Sequence, residues 1–148
     1  MNVRHLLSAS LLALSALSAG CASSGLQARD ELPYADCMRA DQINRWAVVD
    51  GSTFAVANGP NYYRIRTTTD CPRADLGGGI RFRQSNSDKA VSGPDIRMCG
   101  GINEQIVRRD DPPCQIKSIE KVDKGIFDKM LDAAQSKGSG AGPTGAVP

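Results

Sequence analysis

The sequence predicts a mainly β fold: a small antiparallel meander or partial barrel, stabilised by disulfides and followed by a single amphipathic helix. Three observations predict it. Short runs of alternating apolar and polar side chains are separated by Gly, Pro, Asn and Asp. Four cysteines, Cys37, Cys71, Cys99 and Cys114, are spread through the same region. Ile126, Phe127, Met130 and Leu131 then recur at spacings of three and four, the period of a helix with one buried face.

The elements follow in order. Residues 43–49 alternate loosely around Trp46, Val48 and Val49 and run into Asp50-Gly51, a hairpin turn pair in which both residues tolerate positive φ. Residues 53–57 form the returning strand, and Asn58-Gly59-Pro60-Asn61 a second turn. Residues 62–68 make a third strand with clear period two. Gly77-Gly78-Gly79 marks a loop, residues 80–84 a short strand with Ile80 and Phe82 on one face, and residues 84–95 a polar, turn-rich stretch. Further strands are expected at 96–99, 105–109 and 114–119. The helix spans 123–134 with Asp123 as its N-cap, although Gly125 weakens its first turn. It is expected to pack on the open face of the sheet or to cover an edge. Trp46, Phe54 and Phe82 are assigned to the core.

Upstream of this domain the chain reads as an address. Residues 1–5 carry Arg4 and no acid, and residues 6–17 are almost wholly Leu, Ala and Ser. That is the charged and apolar pair of regions of a secretory signal. The apolar run is shorter than the roughly 20 residues a spanning helix needs. The leader ends in Leu17-Ser18-Ala19-Gly20-Cys21, which resembles the lipobox of bacterial lipoproteins, with Ser18 where Leu is most common. In that resemblance Cys21 carries the lipid (palmitate among its acyl chains), and the signal, residues 1–20, is cut before it. Ala22 rather than Asp after the cysteine implies the periplasmic face of the outer membrane. The competing reading is an ordinary signal cut near Ala22 or Ser24. Residues 21–33 then form a polar tether, residues 34–134 the disulfide-stabilised β-rich domain, and residues 135–148 a disordered Gly/Pro tail.

Five cysteines leave one over in an exported protein. Lipid on Cys21 accounts for it, and Cys37, Cys71, Cys99 and Cys114 are left for two disulfides in an oxidising compartment. Zinc is disfavoured, because no cysteine pair has knuckle spacing and the sole histidine, His5, leaves with the leader. Four cysteines allow three connectivities; Cys71–Cys99 with Cys37–Cys114 is the preferred one, tying the start of the domain to its last strand.

Cys37, Trp46-Ala47-Val48-Val49-Asp50-Gly51, Tyr62-Tyr63-Arg64-Ile65, Cys71, Cys99-Gly100 and Cys114-Gln115-Ile116 with Ile119 make a recognisable series. It resembles a family of small, uncharacterised proteobacterial lipoproteins and secreted proteins of unknown function. The likeness spans residues 37–119, without the stretch between Gln84 and Cys99 or the Gly-rich tail. It implies no catalytic residue, substrate or cofactor.

Loss of His5 excludes imidazole general-base chemistry, Ser-His-Asp triads and Cys-His nucleophiles from the processed chain. Gly77-Gly78-Gly79 lacks the Lys-Ser/Thr of a phosphate loop and leads into a strand. No acidic calcium loop is present. Asp110-Asp111 precedes Pro112-Pro113 and reads as a turn. No catalytic residue, cofactor or metal is therefore assigned. A small envelope enzyme built on carboxylates or backbone amides stands as the alternative to a non-enzymatic accessory or binding domain. One constellation points to a ligand. Alternation puts Tyr62, Arg64 and Arg66 on one face of their strand, and Arg81 and Arg83 on one face of theirs. On a shared side of the sheet they would form an anion-binding patch, since guanidinium groups hold carboxylates and phosphates through paired hydrogen bonds. The plain alternative is a solvated face whose arginines pair with scattered acids, favoured by a net charge of only +2. The partners expected are the membrane through the N-terminal lipid, and an envelope protein, lipid phosphate or peptidoglycan. Nucleic acid is excluded by compartment.

Overall fold

A computed structural model describes residues 29–76, 79–86, 89–90, 95–138 and 141–142. The leader, Cys21, Gly77, Gly78 and most of the Gly/Pro tail lie outside the described residues. The expected meander is β2 (Ile43–Asp50), β3 (Thr53–Asn58) and β4 (Asn61–Thr67), after a short β1 (Met38–Arg39). Then come β5 (Arg81–Arg83), β6 (Arg97–Met98), β7 (Gln105–Val107), β8 (Cys114–Val122), the helix α1 (Lys124–Ser136) and β9 (Ala141–Gly142). Seven strands form one curled antiparallel half-barrel in the order β5-β7-β8-β4-β3-β2-β9, and β1 pairs with β6 beside it. The mainly β class with one C-terminal helix is thus as the sequence predicts.

Period-two alternation gives the sheet two different faces. Trp46, Val48, Phe54, Val56, Tyr63, Ile65, Ile116 and Ile119 fill the inner face, closed off by Met38, Met98 and Ile106. Each fully buried side chain of this size contributes about 1.5–3 kcal/mol. The outer face of β2 and β3 carries Ala47, Ala55 and Ala57, onto which α1 lays Phe127, Met130, Leu131 and Ala134. β3 is therefore buried on both faces. The helix begins where expected: the Asp123 carboxylate accepts a hydrogen bond from the Ile126 amide at 2.8 Å.

Five expectations are corrected. The disulfides are Cys37–Cys99 and Cys71–Cys114, not Cys71–Cys99 with Cys37–Cys114. The reason is the β1–β6 ladder. Its register, Met38↔Met98, sets Cys37 opposite Cys99 with Cα atoms 4.5 Å apart, the spacing of a non-hydrogen-bonded antiparallel pair. The first turn is Gly51-Ser52 and contains no positive φ. Asp50 organises it by accepting from the Ser52 amide at 2.9 Å, and a Cβ on Gly51 would stand 2.9 Å from the Asp70 carboxyl carbon. The tether is shorter than residues 21–33, because Arg29 and Leu32 are hydrogen-bonded to the domain. The tail is not wholly without structure, because α1 runs to Ser136 and Ala141–Gly142 pairs with β2 at Trp46 and Ala47. Phe82, placed in the core from the sequence, is only partly buried against its rim.

Candidate functional site

The register decides whether the arginines meet. Arg64 and Arg66 on β4 lie opposite Glu120 and Ser118 on β8. A bulge follows, where the partner of Thr67 becomes Ile116; Lys117 stands exposed there. Ile116 and Ile119 are buried in the inner core, so Gln115 and Ser118 fall on the outer face on either side of the bulge. Gln115 pairs with Gln105 on β7, which pairs with Arg83 on β5, and Arg81 lies opposite Val107. Arg64, Arg66, Arg81 and Arg83 thus share the outer side of the sheet, on the half that α1 leaves open.

They do not converge on a point. β4 and β5 are separated by β7 and β8, so Arg66 and Arg83 lie three strand spacings apart, about 14 Å across the sheet, and are offset along it as well, on the rows of Ser118 and Gln115. Between them lies a polar strip of Gln105, Gln115 and Ser118. Arg64 Nη2 pairs with Glu120 Oε2 at 2.6 Å, and Arg83 donates to Gln105 Oε1. Arg66, Arg81 and Lys117 are exposed, with no carboxylate partner among the described residues. Tyr62 does not belong to this patch. Its ring lies 4.7 Å from that of Phe127, under the helix, because position 62 on the outer face meets the first turns of α1. The arrangement is a broad cationic face containing the carboxylate Glu120, not a pocket for a small anion.

Other polar groups hold loops together. Asp111 takes both Arg73 and Arg108, with Asp110 at a positive φ of 64° before it, so this acid pair does sit in a turn. Asp95 receives Arg97 Nε at 2.6 Å and the Tyr34 hydroxyl at 3.1 Å, while Arg97 stacks on the Tyr34 ring. The Arg97 hydrogen bond holds the Asp95 carboxyl below its ordinary range, against the opposing effect of desolvation. A cavity of about 330 Å³ is lined by Val48, Val49, Asp50, Gly51, Cys71, Asp75 and Lys137. Cys71 there is in a disulfide and Lys137 is bonded to the Val49 carbonyl. Burial raises the Asp50 carboxyl, but hydrogen bonds from Ser52 and Thr53 together outweigh it and leave the group below its usual value, the wrong direction for a general base near neutral pH. Among the described residues no group of three or more His, Cys, Asp or Glu could hold a metal, and no helix is long and apolar enough to cross a membrane.

Sequence reasoning missed the N-terminal strap. Arg29 Nη1 donates to the carbonyls of Gly101 and Ile116 at 3.1 and 3.2 Å, and the Leu32 amide to the Cys99 carbonyl. Glu104, fully buried, accepts from the amides of Cys99 and Gly100 at 2.8 and 2.9 Å. Arg29 and the 99–101 loop thereby cover the edge of β8 that β7 leaves bare beyond Gln115. A lone arginine in a polar stretch carries no periodic pattern; Gly100-Gly101 was the available hint that backbone approaches closely here.

No curated protein and no solved structure matches the chain. A family model does, over residues 3–138, which takes in the 84–99 stretch as well as residues 37–119. The chain belongs to DUF6491, a family of unknown function.

Proposed function

We propose that the chain is a proteobacterial envelope lipoprotein: cut before Cys21, held by lipid on that cysteine at the periplasmic face of the outer membrane, and acting as a non-enzymatic accessory or binding domain. The observation that carries the reading is the cysteine account. Cys37–Cys99 and Cys71–Cys114 use every cysteine of the folded domain, so Cys21 alone is left over. It follows an apolar leader and the small residues Ala19 and Gly20. Disulfides inside the domain suit an oxidising compartment. A binding role is supported by the broad cationic sheet face, whose guanidinium groups suit carboxylates and phosphates. The test is Cys21→Ser in a Gram-negative host. The wild-type chain should incorporate labelled palmitate and sediment with membranes, and the variant should do neither. Equal labelling of both removes the reading.

A further inference from the structure

The cationic face and the point where the chain leaves for its N-terminus are neighbours. Arg29, the first described residue, is bonded to the carbonyl of Ile116. Lys117 is the next residue along β8, Ser118 after it is the partner of Arg66, and Gln115 before it leads through Gln105 to Arg83. Arg29 is thus held at the β8 edge, next in sequence and register to residues of the face. Seven residues separate Cys21 from Arg29, a span of at most about 28 Å even when fully extended. With lipid on Cys21, the bilayer that holds the anchor lies within that reach of the face.

From this juxtaposition we propose that the open sheet face carrying Arg64, Arg66, Arg81 and Arg83, with exposed Lys117 at its bulge, docks on the anionic headgroups of the membrane that holds the anchor. This rests on the lipoprotein reading for the anchor, and on the register for the face. Two further observations favour a headgroup layer. The two arginine pairs are spread across four strands, about 14 Å across the sheet, which matches many phosphates spread over a surface better than a single small anion. The charge is also segregated: the chain as a whole is +2, yet this face sets four arginines, with Lys117 exposed at the bulge beside them, against the carboxylate of Glu120. Exposed Ile102, 65 % accessible, extends the same edge from the 100–104 loop that Arg29 grips, an apolar side chain suited to the headgroup boundary. Lipid anchoring through a short acyl set is strengthened by such a basic surface.

Lys117, exposed at the bulge next to outward Ser118, and Lys121, the partner of inward-facing Tyr63, lie on one strand and form an internal comparison. The lipidated full-length protein is reconstituted into phosphatidylglycerol-rich or pure phosphatidylcholine vesicles and acetylated with an amine reagent, and each lysine is read by mass spectrometry. Lys117 should be protected several-fold in the anionic vesicles alone, with Lys121 unchanged. Protection should vanish at high salt and in Arg66→Gln/Arg81→Gln/Arg83→Gln, and persist in the corresponding triple Lys variant; about fivefold in vesicle affinity is expected per charge removed. Equal acetylation of Lys117 in both vesicles overturns the proposal. So does equal protection by inorganic phosphate without vesicles, or by isolated sacculi, which would assign the face to a small anion or to peptidoglycan. If the chain fails to float with vesicles, the anchor reading fails by itself. The face is then tested by adding the chain to anionic vesicles from solution, where Lys117 protection should still be seen.

Discussion

At the scale of single residues, the most consequential side chain is Glu104, which is only 1 % exposed. Its two oxygens receive the amides of Cys99 and Gly100, and its own carbonyl receives the amide of Ile116. A buried carboxylate is costly unless its lone pairs are used. Here they satisfy amides that the Cys99–Gly100 turn would otherwise bury unpaired. Gly100 is required in that turn: its φ is +92°, and a Cβ would stand 3.2 Å from the Ile119 amide nitrogen. Glu104→Gln keeps the shape and turns one acceptor into a donor aimed at a donor. It should destabilise the domain by about 2–3 kcal/mol, read as a lower urea midpoint with an unchanged slope. Because Arg29 holds the same loop through Gly101, proteolysis after Arg29 should speed up in parallel. A midpoint equal to wild type would mean that the loop is closed by Arg29 and the disulfide alone.

At the scale of elements, the contact between α1 and the sheet depends on the small side chains opposite it. Ala47, Ala55 and Ala57 present a nearly flat surface, and Phe127 with Met130 and Leu131 fills it. Ala55→Leu at a site with no exposure should overpack this layer and cost about 1–3 kcal/mol. A thermal melt should show the loss, and Phe127→Ala in the same background should relieve part of it, because the two sites share one space. Strictly additive losses would place the strain elsewhere. The strands and the helix were legible in the sequence because period two and period three-to-four are written in side chains, and Asp123 carried its cap. The alanine face was not legible as core, since alanine is ambivalent and signals burial only once the helix is seen on it. The disulfide pairing was hidden for a different reason. It follows from β1 and β6, which are two residues each, too short to display any alternation. In the candidate site, period two placed Arg64 with Arg66 and Arg81 with Arg83, but whether the two pairs share a side depends on the register of β7 and β8, which the sequence does not display. Tyr62 does lie on the side of Arg64 and Arg66, but α1 covers it, which the strand pattern does not show.

At the scale of the whole molecule, a thin sheet with a core on each face is held by two covalent ties placed at different levels. Cys37–Cys99 joins the β1–β6 ladder beside the strap, and Cys71–Cys114 joins the segment after β4 to the start of β8. Their sequence separations are 62 and 43 residues. In the chain-entropy model each is worth about 4 kcal/mol, with a difference of only about 0.3 kcal/mol between them. A domain of this size has a total stability of about 5–15 kcal/mol, so either bond is a large share of it. Cys37→Ala/Cys99→Ala and Cys71→Ala/Cys114→Ala should therefore each lower the urea unfolding free energy by nearly the same amount. The quadruple variant should be unfolded or close to it at 37 °C. The two native-state effects should differ in place, however. Without Cys37–Cys99, hydrogen exchange should accelerate around 29–39 and 97–101, where the strap and the β1–β6 ladder lose their tie. Without Cys71–Cys114, it should accelerate around 68–76 and 105–115. If one pair costs several kcal/mol more than the other, loop entropy is not what these bonds supply, and the energy belongs to the packing that the heavier pair secures.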